Sequence, residues 1–256
     1  MFVNVFPLLV FNNKSIPRVL IHSAVGVKLS LWQIHLQKLI GNEMKRKIGF
    51  FGLMKSFESA QTSFEKMSGG GIKATIHHDV MKNVKVKHLR WWFENIDGTT
   101  TFNGQDFNGL EVAVYRLWHP HDHIKVFWKK KLLSPQGRVL PGSVISIKET
   151  FGGYLIEEDA LISRFDNEEY NFDFKKLGIK VGELIHAYKE VEEGVKFRTE
   201  MTIKCEVPVI GKLVTWIATK YVMHERKIRA WMQHNIEESG ESERFIPKLY
   251  NHVQSK

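Results

Sequence analysis

WIATKYVMHERKIRAWMQHNIEESG, residues 216–240, reads as one long helix over Trp216–Glu238. Ala218, Met223, Ile228, Ala230, Trp231 and Ile236 sit among polar positions near helical spacing, and Gly240 stands just beyond as a stop signal. Upstream the period changes. Ile72–Val80, Ile124–Leu133, Val144–Glu149, Tyr154–Phe165, Glu183–Val191 and Val195–Cys205 read as strands, with Gly194 as a hairpin turn between the last two. Val86–Ile96, with Leu89, Trp91, Trp92 and Phe93, suits a short helix. Strands closed by one long C-terminal helix imply an α+β fold: a curved antiparallel sheet around the helix, with a cavity between the layers.

Residues 1–70 read differently. Met1–Phe11 is apolar but carries Asn4 and Pro7 and lacks a basic start, which argues against an export signal and for a cytoplasmic protein. Leu29–Ile40 reads as an amphipathic helix that docks on the main domain or on a membrane surface, with Lys38, Lys45, Arg46 and Lys47 nearby. Ser68–Gly71 is the clearest linker or turn. The expected organisation is an N-terminal extension over 1–70 and a helix-grip domain over 71–256.

Composition narrows the classes. Hydrophobic residues are 43% and charged residues 25%, which is globular rather than disordered. One cysteine, Cys205, excludes an internal disulfide framework and a Cys-rich metal site. No run of about 18 apolar residues is present, so no helical membrane span is expected. The 37 Lys+Arg against 28 Asp+Glu give a net charge of +9. The lysines are interleaved with acids, however, and the short run Lys129–Lys131 reads as a solvated strand end rather than a nucleic-acid patch.

Three segments carry chemistry. His234 and Glu238, four apart on the long helix, share one face and can share one ion. His186 and Glu190 have the same spacing on a strand, where it means little. His119, His121 and His123 crowd five residues of a loop entering the strand at Ile124. A cupin-type reading of that loop fails, because Phe127 and Trp128 stand where a glutamate is needed. Glu149 ends a strand before the turn Thr150-Phe151-Gly152-Gly153, where a carboxylate can face a cavity mouth. Two histidines with two glutamates suit zinc best, with iron(II) or manganese also accommodated.

Five segments in order resemble the 2,4-diacetylphloroglucinol hydrolases and the related phloretin hydrolase. They are Leu89-Arg90-Trp91-Trp92-Phe93, Tyr115 to His123, Ile147 to Gly152, His234-Asn235-Ile236-Glu237-Glu238 and Ile246-Pro247-Lys248-Leu249-Tyr250. The resemblance covers roughly Gly71 to Tyr250. The resemblance implies a START-like, birch-pollen-allergen-like helix-grip fold and a metal-dependent hydrolase that cleaves the carbon–carbon bond between an acyl group and a phenolic ring. It implies His123, Glu149, His234 and Glu238 as metal ligands, with the loop's final histidine preferred over His119. It also implies Tyr115 as a substrate contact and His186 as general acid, on the ground that an imidazole titrates near neutral pH. His119 and Asp122 would orient His123. Val126 and Met201 replace an asparagine and a tyrosine of the family, removing polar contacts to an acylphenol substrate. Two other readings stand beside it: a non-catalytic binder of hydrophobic small molecules with the same fold, and a basic binder of nucleic acid or anionic membrane. Homodimerisation stays open.

Overall fold

The structure, a computed structural model, describes residues 46–256; the expected helix Leu29–Ile40 and the apolar start Met1–Phe11 lie outside them. The main sheet is antiparallel throughout. Its strands are β1 (Gln61–Lys66), β2 (Ile72–His77), β3 (His123–Lys130), β4 (Val144–Phe151), β5 (Tyr154–Phe165), β6 (Glu169–Lys176), β7 (Ile179–Val191) and β8 (Gly194–Ile203), in the spatial order β1-β2-β8-β7-β6-β5-β4-β3. The two-residue strand Met81–Lys82 adds to β8. Ser68–Gly71 is the turn between β1 and β2. The sheet therefore starts upstream of residue 71, where the sequence pattern begins the domain.

Among the described residues four α-helices accompany it: α1 (Val86–Glu94), α2 (Val114–Trp118), α3 (Gly211–Ile217) and α4 (Glu225–Gln254). The single helix expected over Trp216–Glu238 is broken. After α3 a π-helical turn spans Ala218–Val222, Met223 leaves helical geometry, and the His224 ring caps α4 by accepting from the Lys227 amide. Nor does Gly240 stop the helix, which runs on through Pro247 to Gln254. Gly240 is there for space, since a Cβ would sit 2.6 Å from Cγ of Lys55. The strap of residues 46–55 crosses the back of α4 at this point, and Arg244 holds it by donating to the Phe51 and Leu53 carbonyls. Strand β6 is absent from the sequence reading, although Tyr170, Phe172 and Phe174 alternate with Asn171 and Asp173.

The core divides into two apolar clusters. One joins α1 and α2 to the inner face of the sheet and to Phe245, Ile246 and Leu249 of α4. Trp92, fully buried, meets Trp118 and Phe245 edge-on there. The other packs Ile228, Trp231, Met232 and Ile236 of α4 against Ile72, Ala74, Ile76, Met201 and Ile203. Burying side chains of this size is worth about 1.5–3 kcal/mol each, so α4 is clamped at both ends. This is a helix-grip fold: the curved sheet wraps the C-terminal helix.

Candidate metal centre

Between its two apolar grips α4 is polar. His234, Asn235, Glu237, Glu238, Ser239, Glu241 and Ser242 are all buried. Buried carboxyl and imidazole groups are costly unless paired, so their partners define the site.

His123 opens β3 and lies opposite Glu149 of β4. Its Nδ1–H donates to the Tyr115 carbonyl at 2.7 Å, which fixes the tautomer and leaves the Nε2 lone pair free. That Nε2 is buried and has no hydrogen-bond partner. Glu238 Oε2 lies 3.1 Å from it and Glu149 Oε2 3.8 Å. His234 repeats the pattern from α4. Its Nδ1–H donates to Asp122 Oδ2 at 3.1 Å, and its Nε2 stands 3.7 Å from Glu238 Oε2 and 3.8 Å from Glu149 Oε2. Ligands placed about 2.1 Å from a tetrahedral zinc ion are about 3.4 Å from one another, so these separations bracket what a shared ion requires. His123, His234 and Glu238 form one trio close enough for an ion, with Glu149 beside both imidazoles, and the orphaned Nε2 and fixed tautomers fit a divalent cation there.

The electrostatics agree. Burial holds both imidazoles neutral, His123 down to about 4 and His234 down to about 3, as ligands must be. Burial also pushes the Glu149 carboxyl up to about 7 and Glu238 well above the carboxylate range. Two acids crowded beside neutral imidazoles lack a counter-charge, which a dication would supply.

Around this centre sits a supporting shell. The Tyr115 hydroxyl donates to Glu149 Oε2 at 2.6 Å, and its ring stacks on His123 at 3.6 Å. Asn235 donates to Glu238 Oε1. The expectation that His119 and Asp122 orient His123 is corrected: the Tyr115 carbonyl orients His123, and Asp122 orients His234. His119 instead meets Glu237 at 3.0 Å. His119, Asp122 and Nδ1 of His234 form a second trio close enough for an ion. Lys47 already occupies that position, with its ammonium 2.8 Å from Asp122 and 3.1 Å from Glu237. Burial opposes the Asp122 charge, but hydrogen bonds from His234 and Lys47 outweigh it and hold the carboxyl well below its usual range. The sequence reading gave Asn235, Glu237 and Lys47 no role at this site. Glu237 and Asn235 stood in the quoted helix motif; Lys47, 75 residues from Asp122 in the chain, gave no signal.

His186 lies on β7 with its ring stacked between Phe93 and Phe197 and its Nδ1 3.2 Å from Thr199 Oγ1. Burial takes its pKa down to about 3. The expectation of an imidazole that titrates near neutral pH is therefore corrected: His186 is neutral there.

A cavity of about 300 Å³ lies between the sheet and α4, walled mainly by apolar side chains such as Phe174, Met201 and Trp231. It adjoins an inner chamber of about 60 Å³ lined by Tyr115, Val126, Glu149, His186, His234 and Glu238. Glu149 borders both. Val126 and Met201 thus sit on chamber and cavity walls and make them apolar. A larger groove of about 750 Å³ over Asp79, Tyr188 and Arg198 does not reach His123, Glu149, His234 or Glu238. The lysines at 129 and 131 are engaged, Lys129 with Asp159 and Lys131 with the Glu94 carbonyl.

No protein-family model and no curated protein matches the chain. Among solved structures it is similar to Ara h 8.0201 at 10% identity and TM-score 0.39, covering 74% of this chain and 99% of that one. It is also similar to the di-domain ARO/CYC BexL from the BE-7585A biosynthetic pathway, at 11% identity and TM-score 0.39, covering 82% of this chain and 54% of that one. A conserved protein of unknown function from Enterococcus faecalis matches at 9% identity and TM-score 0.40, over 87% and 94% of the two chains.

Proposed function

We propose that the protein is a metal-dependent hydrolase that cleaves the bond between an acyl group and an electron-rich aromatic ring. The observation that carries this reading is the gathering of donors from His123, His234 and Glu238 close enough to hold one ion, with Glu149 Oε2 3.8 Å from both imidazoles, beside an apolar cavity. Zinc is the favoured ion, with iron(II) or manganese as alternatives. When bound, it supplies Lewis acidity toward a carbonyl oxygen and lowers the pKa of a water.

In the reaction, water oxygen bonds to the acyl carbon, the bond from that carbon to the ring breaks, and the ring carbon gains a proton. The products are a carboxylic acid and the deacylated phenol. The apolar walls bind the ring and exclude bulk water. Tyr115 keeps its phenol proton, because burial and the adjacent Glu149 raise its pKa well above the usual value. It is therefore a hydroxyl donor, either to Glu149 or to a substrate oxygen. His186, neutral and with Nδ1 tied to Thr199, holds a hydrogen bond to the substrate rather than a stored proton.

Val126 and Met201 favour a second reading, a binder of hydrophobic small molecules without turnover. A panel of acylphenols assayed with zinc-loaded wild type and Glu238→Gln separates the two. Hydrolysis by wild type, lost together with metal in the variant, supports the hydrolase. Binding without turnover, unaffected by metal, supports the carrier.

A further inference from the structure

Around the mouth of the 300 Å³ cavity, two elements turn apolar side chains outward. The first is Val207–His224, which holds α3 and the π-helical turn. It contains Lys212 and Lys220 and no Asp or Glu. Its inner side chains Val214 and Ala218 line the cavity, while Leu213, Trp216 and Tyr221 stand exposed. The second is the β6–β7 hairpin tip around Leu177, whose neighbour Lys176 lines the same cavity.

Two turn residues carry this outward display furthest. Leu177 and Val209 are fully exposed, at 102% and 99%. Both also hold left-handed backbone angles, with φ of 52° and 67°. Neither residue favours that region, a β-branched valine least of all. At Leu177 the angle follows from the two-residue hairpin turn it shares with Gly178, so the exposure of the two side chains, and not their backbone, bears on a partner.

Charge and aromatic placement identify that partner. Lys220 Nζ lies 4.7 Å over the Trp216 ring and 5.2 Å over Tyr221, so aromatic bodies and an ammonium share one surface. Amphipathic rings beside lysines suit the headgroup level of a bilayer. Lys176 and Lys180 are already matched by Glu158, Asp173 and Glu183. The acids that flank the segment, Glu206 and Glu225, are paired with Lys204 and Arg229, so Lys212 and Lys220 give the rim its positive sign.

We infer that this rim, formed by Leu177, Val209, Leu213, Trp216 and Tyr221 with Lys212 and Lys220, docks on an anionic lipid bilayer and sets the cavity mouth against the membrane surface. An apolar ligand would then enter from the lipid rather than from water. No helix among the described residues is long and apolar enough to cross a membrane, so the contact is interfacial. The inference is independent of the hydrolase reading, because docking needs no turnover.

The test is co-sedimentation of the full chain with phosphatidylcholine vesicles, with and without phosphatidylserine. Wild type should bind the anionic vesicles, and Leu177→Ser/Val209→Ser/Trp216→Ser should bind at least tenfold more weakly. Those side chains are exposed, so an unchanged far-UV circular dichroism spectrum checks the variant's fold. Lys212→Gln and Lys220→Gln should each weaken binding roughly fivefold, on anionic vesicles only. Three results would overturn the inference. One is wild type that stays in the supernatant. Another is a triple variant that binds as wild type does, which places the contact elsewhere, as on the N-terminal segment. The last is a dimer, abolished in the triple variant, with no vesicle binding, which makes the face a contact between copies.

Discussion

Glu149→Gln in the metal-stripped protein isolates the electrostatic cost of the site. Burial raises the Glu149 carboxyl from 4.5 to about 7, with His123 opposing and Glu238 reinforcing the rise. A carboxyl whose pKa is higher folded than unfolded contributes its full stability below the unfolded value. That contribution is lost as pH climbs from about 4.5 through about 7. The interval is worth about 3 kcal/mol in full. The side chain keeps 16% of its surface open to the cavity, where water screens it, so this is an upper figure. Glutamine has nearly the same shape and nothing to ionise. Urea unfolding after chelation, run between about pH 5 and pH 8, should therefore cost wild type about 2 kcal/mol more than the variant. Taking the difference between the two proteins cancels the buried histidines, which act in the opposite direction. Adding zinc at high pH should restore wild type and help the variant far less. Parallel pH curves for the two proteins would refute the reasoning, because Glu149 would then lie outside any desolvated, charge-crowded centre.

Three other outcomes follow from the geometry. Asp122→Ala removes the acceptor for His234 Nδ1 and a partner of Lys47, so zinc affinity by chelator competition should fall roughly 10–100-fold. Tyr115→Phe removes the hydroxyl that donates to Glu149, which holds that carboxyl down. The pH midpoint of metal uptake should therefore move upward, with about 1 kcal/mol lost on unfolding. Gly152→Ala forces a Cβ to 2.6 Å from Ala230 Cβ at a φ of +57°; thermal denaturation should show a loss of about 1–3 kcal/mol.

Much of the fold was legible because its strands carry clean local signals. Tyr154–Phe165 falls on the observed span, and Val86–Ile96 overruns the observed helix by two residues. What failed depends on partners distant in sequence. Gly240 looks like a helix stop, yet it is the point where the strap around Lys55 presses on α4. The break at Met223 was invisible because Trp216–Ile236 keeps helical spacing through it. Strand β6 was lost because asparagine, aspartate and lysine dilute its aromatic alternation. For the site, the four-residue spacing of His234 and Glu238 pointed to shared chemistry, and the loop histidines to a second donor. Glu149 stood out as a carboxylate at a strand end before a glycine turn; choosing His123 over His119 needed the family resemblance, and the register His123↔Glu149 then sets them side by side. The exchange of orienting roles between Tyr115 and Asp122 could not be read, because it depends on which ring nitrogen faces which strand. The burial that neutralises His186 is likewise a property of the packed state.

The most direct measurement is elemental analysis of purified full-length protein, wild type beside His234→Ala, each also after reconstitution with zinc, iron(II) and manganese. The trio His123, His234 and Glu238, with Glu149 beside it, predicts about one divalent ion per chain in wild type and none held tightly by the variant. Wild type that binds no ion under any of these conditions would contradict the metal centre and leave the apolar cavity as a binding site alone.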